Sequence, residues 1–152
     1  MDEEQGRPWW GVAQRWMPSA LVLVIAVVTI APPGRLTVVG LAVAVVLLVL
    51  AWVLSPWFFP RSETDAAARE LASTRNVPVI YWRPGCSYCL RLRIALGRAG
   101  NRAVWVDISR SDAASCRVRE VNGGNETVPT VFVGSSPQVN PSPQWVRDRL
   151  KV

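Results

Sequence analysis

No charged side chain occurs from Leu36 to Pro60, none occurs from Trp16 to Gly34, and Arg35 alone stands between the two stretches. A helix that is apolar all round has to be buried on every side. A chain of 152 residues has too small a core to bury two of them. The pattern therefore predicts a two-helix transmembrane hairpin over 16–60, with helices over about 16–31 and 36–59. The second run is long enough to cross a hydrocarbon core that takes about 20 residues. The first is marginal, since it is densely apolar only from Ala20 to Ala31. Two successive prolines cannot continue a helix, so Pro32-Pro33-Gly34-Arg35 reads as the turn. As a cleaved signal peptide, Ala20–Ala31 has a loose small-x-small site at Thr29-Ile30-Ala31, but Pro32 directly after it argues against that reading.

The flanks set an orientation. Arg7 and Arg15 precede the hairpin and Arg61, Arg69 and Arg75 follow it, which puts both ends on the cytoplasmic side. Trp9, Trp10 and Trp16 at the entry and Trp57, Phe58 and Phe59 at the exit form an aromatic belt at that same interface. The expected organisation is an N-terminal cytoplasmic segment over 1–15, the hairpin, a helical linker over 61–76 and a C-terminal domain over 77–152. In the linker, Ser62 and Thr64 are the cap candidates ahead of Asp65-Ala66-Ala67-Ala68-Arg69-Glu70-Leu71-Ala72. The expected location is the cell membrane, multi-pass, with the C-terminal domain facing the cytoplasm. The net charge is +6, and from Arg61 onward 14 Lys and Arg stand against 8 Asp and Glu. A basic face suits an anionic leaflet. The arginines are scattered singly, without a basic run, so no nucleic-acid partner is expected.

From Val77 the periodicity changes. Val77–Trp82, Ala103–Ile108 and Val128–Val133 read as strands, with a short fourth at Gln138-Val139. Cys86–Arg98, Asp112–Val121 and Ser142–Leu150 read as helices. In the first of these, Leu90, Ile94 and Leu96 fall on the inner side and Arg91, Arg93 and Arg98 on the outer. The second is capped by Ser111 or Asp112 and stopped by Asn122-Gly123-Gly124. Strand, helix, strand, then a strand pair and a helix predict an α/β domain: a mixed four-stranded sheet with helices on both faces, the thioredoxin-like arrangement.

Within it, Tyr81-Trp82-Arg83-Pro84-Gly85-Cys86-Ser87-Tyr88-Cys89 runs from a strand end through a Pro-Gly break into two cysteines at C-x-x-C spacing. On a helix start this spacing exposes one sulfur and tucks the other beneath it. Helix N-termini lower a cysteine pKa from about 8.5 to roughly 3.5–7.5, which makes the first thiol a nucleophile at neutral pH. Cys89 is then placed to attack a disulfide formed by Cys86. Half a zinc site is the competing reading, but a closed site takes four ligands and the chain has three cysteines and no histidine. No metal is therefore expected. The lack of histidine also removes the usual base of Ser and Cys hydrolases. Cys116 reads as a buried or incidental thiol.

Cys86-Ser87-Tyr88-Cys89 and Thr127-Val128-Pro129 in this context resemble a glutaredoxin. More closely, Cys86-Ser87-Tyr88-Cys89-Leu90-Arg91-Leu92, Val121-Asn122-Gly123-Gly124-Asn125 and Asn140-Pro141-Ser142 resemble the mycoredoxins of actinobacteria, over about Val79–Leu150 and without the hairpin. The resemblance implies a thiol-disulfide oxidoreductase in cell redox homeostasis, with Cys86 and Cys89 as the redox-active centre. It also implies a cis peptide before Pro129, in a loop facing Cys86. Arg83, Tyr88, Thr127, Val128 and Pro129 are the candidates for binding the small thiol and the substrate. Where glutaredoxins carry Gly-Gly-x-Asp to hold glutathione, this chain has Gly134-Ser135-Ser136-Pro137-Gln138-Val139-Asn140, which argues against glutathione, and the mycoredoxin resemblance implies mycothiol as the preferred co-substrate; no bound cofactor is expected. The partners implied are a small-molecule thiol and disulfide-containing or thiolated proteins. Two alternatives stay open: an iron–sulfur cluster module using Cys86 from two copies, and a non-catalytic membrane adaptor.

Overall fold

A computed structural model describes residues 10–30, 38–55 and 58–150. The segment over 1–9 with Arg7 and Trp9, the turn at Pro32-Pro33-Gly34-Arg35, the start of the second expected helix and Trp57 lie outside the described residues. Two compact units divide the chain, Gly6–Phe59 and Pro60–Val152.

The first unit holds helices α1 (Trp10–Ile30) and α2 (Val38–Leu54), which pack against each other. The apolar positions they bury are small: Ala26 on α1, Ala44 and Ala51 on α2. Small side chains let two backbones approach closely. Most of the large ones, Leu21, Val24, Val28, Leu41 and Val46 among them, are exposed. The helices differ from those expected over 16–31 and 36–59. Among the described residues, no helix is long and apolar enough to cross a membrane. The second has 17 residues, about 25 Å at 1.5 Å each, against a core of about 30 Å. The first begins early, at Trp10, and takes Gln14 and Arg15 into its opening turns.

The second unit is a four-stranded sheet in the order β2-β1-β3-β4, from β1 (Val79–Trp82), β2 (Val104–Asp107), β3 (Thr130–Val133) and β4 (Ser136–Val139). The β1–β2 pair is parallel and the β1–β3 and β3–β4 pairs are antiparallel. This is the mixed sheet of the thioredoxin-like arrangement. Every residue of β1 and β2 is buried, so both faces of the sheet are covered. Edge strand β4 is mostly exposed and accommodates Pro137, whose missing N–H costs an edge little.

Helix α3 (Asp65–Arg75), the expected linker, lies against β1 and β2 and belongs to this unit. Its sequence shows why. Ala68 is fully buried, and the buried Asp65 accepts the Tyr81 hydroxyl at 2.5 Å while pairing with Arg69 at 3.0 Å. Ahead of it, the Glu63 N–H donates to the Trp105 carbonyl at 3.0 Å and the Asp107 N–H to Ser62 Oγ at 2.7 Å. Thr64 provides the cap.

Helix α4 (Ser87–Leu96) follows β1, α5 (Asp112–Val121) follows β2 with Ser111 as its cap, and α6 (Pro143–Arg149) closes the unit with Ser142 as its cap. Of the residues expected on the inner face of α4, Leu96 is buried and Leu90 half-buried, but Ile94 is not. Cys89, Leu92 and Leu96 are buried, whereas Ile94 is 57% exposed. Arg93 is half-buried and donates to the Gly97 carbonyl at 2.6 Å and to Asn101 Oδ1 at 2.9 Å. The helix starts at Ser87 rather than Cys86 and gives way to a 3-10 turn at Gly97, and its phase follows the buried sulfur.

Candidate active site

The site begins where β1 ends. Gly85 sits at φ 78°, in the left-handed region that side chains rarely adopt, and the turn returns the Cys86 N–H toward the Arg83 carbonyl at 3.4 Å. Cys86 is the N-cap of α4, with extended backbone, and its carbonyl accepts the first helical bond from Leu90 at 3.0 Å. Its Sγ accepts the Cys89 N–H at 3.1 Å, doing what a serine oxygen does in an ordinary cap. The unpaired N–H groups and dipole of a helix start favour negative charge there. Cys86 is half-buried and Cys89 fully buried, so one sulfur can be reached from solvent. The two form a disulfide with Cα atoms 5.3 Å apart, so this is the oxidised form.

The loop that leads into β3, the antiparallel neighbour of β1, completes the site. The Val128–Pro129 peptide is cis, as the resemblance implies, and the Val128 carbonyl oxygen lies 3.4 Å from Cys86 Sγ. Reduced to the thiol, Cys86 is the donor in that contact. The loop is tied at three points. Thr130 Oγ1 donates to the Thr127 carbonyl at 2.7 Å and accepts from Asn122 Nδ2 at 3.2 Å, and the Asn140 N–H donates to the Pro129 carbonyl at 2.8 Å. Asn122 reaches Thr130 because the chain reverses after α5 through Gly123 and Gly124, at φ 60° and 89°.

Beside the sulfur lies a cleft of about 390 Å³ lined by Arg83, Asn125, Glu126, Thr127 and Val128. Glu126 is its one acidic group. It faces Arg83 Nη1 at 3.9 Å and Arg119 Nη2 at 3.4 Å and accepts the Ser115 hydroxyl.

Of the residues singled out from the sequence, Cys86, Cys89, Arg83, Thr127, Val128 and Pro129 come together here. Tyr88 does not line the cleft. It is 55% exposed, with the Arg91 guanidinium 5.6 Å from its ring centre. Cys116 is exposed on α5 and outside any disulfide, which removes the buried half of its reading as a buried or incidental thiol. Sequence reasoning passed over Glu126, Arg119, Ser115 and Asn140 as parts of the site and used Asn122 as a helix stop and as part of a family motif, not as a site residue. The signal for Asn122 was present in its Asn-Gly-Gly setting, while Glu126 shows no periodicity that marks it.

A sulfur capping a helix, a second sulfur beneath it and a cis-proline loop against the first make a centre for thiol-disulfide exchange. The comparisons agree. The glutaredoxin family profile matches residues 78–136. Two candidate glutaredoxins of Mycobacterium tuberculosis, from strains CDC 1551 and H37Rv, are each 47% identical to the chain over 74 residues, or 47% of this chain and 86% of theirs. The chain thus belongs to the glutaredoxin family and is a thiol-disulfide oxidoreductase.

Proposed function

We propose that the chain is a membrane-anchored reductase of mixed disulfides between proteins and a small thiol, that the thiol is mycothiol, and that Cys86 is the attacking residue. The observation that carries the reading is the Cys86 sulfur: it caps α4, accepts the Cys89 N–H at 3.1 Å and is the more exposed of the pair. The Cys86 thiolate forms a bond to the small-thiol sulfur of the mixed disulfide. The protein sulfur leaves as thiolate, taking the electron pair and then a proton. A second small thiol, as thiolate, bonds to the sulfur held on Cys86 and expels the Cys86 thiolate, so two small thiols end as their disulfide and one protein thiol is restored. Cys89 offers the other route: its thiolate attacks Cys86, expels the bound thiol and gives the Cys86–Cys89 disulfide.

Mycothiol is favoured by the mycoredoxin-like motifs and by the lack of Gly-Gly-x-Asp after β3. The test uses the full chain as wild type, Cys86→Ser and Cys89→Ser, offered a mycothiol and, separately, a glutathione mixed disulfide with reductase-coupled turnover. The expected result is mycothiol turnover that persists without Cys89 and disappears without Cys86. Turnover that survives loss of Cys86 removes the mechanism, and preference for glutathione removes the choice of thiol.

The membrane reading is supported by the large apolar side chains that α1 and α2 leave exposed, and by the arginines that flank them. A helix shorter than the hydrocarbon core is accommodated by local thinning or by flanking residues that reach the interface. The redox domain is proposed to face the cytoplasm. Exposed Cys116 is a natural reporter once Cys86 and Cys89 are both serine. An impermeant maleimide is expected to label it only after cells are opened, and labelling of intact cells would reverse the orientation.

A further inference from the structure

The charge arrangement in the cleft is one that exchange chemistry does not itself need. Glu126 stands between two arginines, with Oε2 3.9 Å from Arg83 Nη1 and Oε1 3.4 Å from Arg119 Nη2. Arg119 Nη2 also donates to Ser115 Oγ at 2.8 Å, and Ser115 in turn donates to Glu126, so the carboxylate is held against α5. It directly precedes Thr127 and Val128, the latter in contact with the Cys86 sulfur. A ligand whose sulfur approaches Cys86 past Val128 therefore meets an arginine that already faces a carboxylate. Around that pair, Asn125 and Thr127 provide neutral polar groups.

We infer that Glu126 sets the charge selectivity of the exchange, weakening reaction with small disulfides that carry carboxylates and leaving neutral, hydroxyl-bearing ones unaffected. Glu126 partly satisfies the one cleft cation, Arg83, and adds a like charge against an incoming carboxylate. This rests on the cleft being the small-thiol site of the proposed function, and it supplies a residue for preferring a neutral sugar-bearing thiol over an anionic peptide thiol. Because Arg83 and Glu126 are both partly exposed, solvent limits the effect to about two- to fivefold in rate.

The test takes the full-length chain, wild type and Glu126→Gln, reduced and freed of reductant. Each is mixed with 3,3′-dithiodipropionate, a dianion, or with bis(2-hydroxyethyl) disulfide, which is neutral. The Cys86 thiolate bonds to one sulfur of either probe and the other leaves as thiolate; attack by Cys89 then releases the second. Rapid quenching and mass analysis of the first adduct give the rate. Glutamine keeps the side-chain volume and an oxygen for Ser115, so the fold is preserved. The dianion-to-neutral rate ratio is expected to rise about two- to fivefold in Glu126→Gln at low salt. The rise should vanish near 1 M salt, where the screening length is about 3 Å. Glu120→Gln, exposed on α5, makes the same change in total charge and should leave the ratio as in wild type.

An unchanged ratio in Glu126→Gln overturns the inference. So does an equal change for both probes, which would mean that Glu126 acts on the sulfur and not on the ligand. Neither probe is mycothiol, so a failed mycothiol assay leaves this ratio standing, and a flat ratio leaves the mycothiol assay standing.

Discussion

At the scale of single residues, a sulfur occupies the N-cap of α4, where an oxygen usually sits, and this separates structure from chemistry at position 86. Serine is a good cap but no nucleophile here. Cys86→Ser is therefore expected to unfold within about 1 kcal/mol of the reduced wild type while its turnover falls to background, as urea titration and the coupled assay would show. Tyr81 behaves differently. Burial first, and then the hydrogen bond to Asp65, push its phenol well above the usual tyrosine value. The folded state thus holds the proton to higher pH than the unfolded chain, whose tyrosine titrates near 10. The resulting stability is complete below pH about 10 and is lost as pH climbs from there toward the folded-state value. Urea midpoints measured from pH 9 to 11.5 should fall more steeply for wild type than for Tyr81→Phe.

At the scale of elements, α4 is the informative case because Ile94, expected on its inner side with Leu96, is exposed, and Leu92, not expected there, is buried. Leu92 is buried and Ile94 is exposed, although both are aliphatic and two positions apart. Leu92→Ala should cost about 2–5 kcal/mol in chemical denaturation and Ile94→Ala about 0.5 kcal/mol or less. The reverse ranking would mean that the helix sits in the phase first read from the sequence. The caps of α3 and α5, by contrast, were each one of two candidates in the sequence, Ser62 or Thr64 and Ser111 or Asp112. Thr64, Ser111 and Ser142 each accept an N–H in the first turn of the following helix, because a short hydroxyl side chain ahead of a helical pattern has few other local uses.

At the scale of the whole molecule, the notable boundary is at Pro60 and not at Val77. Residues 62–75 supply Ser62, Asp65 and Ala68 to β1 and β2, so cutting the chain at Val77 opens the side of the sheet they cover. A fragment of 60–152 should unfold cooperatively. One of 77–152 should lose roughly 2–4 kcal/mol, from the exposed apolar surface and the broken polar contacts. Thermal melts of the two fragments, each with the same solvent and redox state, decide it. Equal melting points would restore 61–76 to the role of a spacer.

The sequence by itself determined the α/β class, the strand and helix order after Val77 and the C-x-x-C pair, and the family resemblance carried by its Thr-Val-Pro motif implied the cis-proline loop. Each depends on local patterns: alternation, caps, C-x-x-C at a helix start and a Thr-Val-Pro motif. Tertiary structure alone decided which side of α4 is buried, that α3 packs on the sheet, and that Tyr88 stays at the surface while Glu126 enters the cleft. Those outcomes depend on contacts between residues far apart in the chain. Asp65 meets Tyr81, Ser62 meets Asp107, and Glu126 meets Arg83 across the gap between the loop and the end of β1. A charged residue in a loop has the same sequence signature whether it points to solvent or to a partner, and only the folded backbone brings the partner within reach.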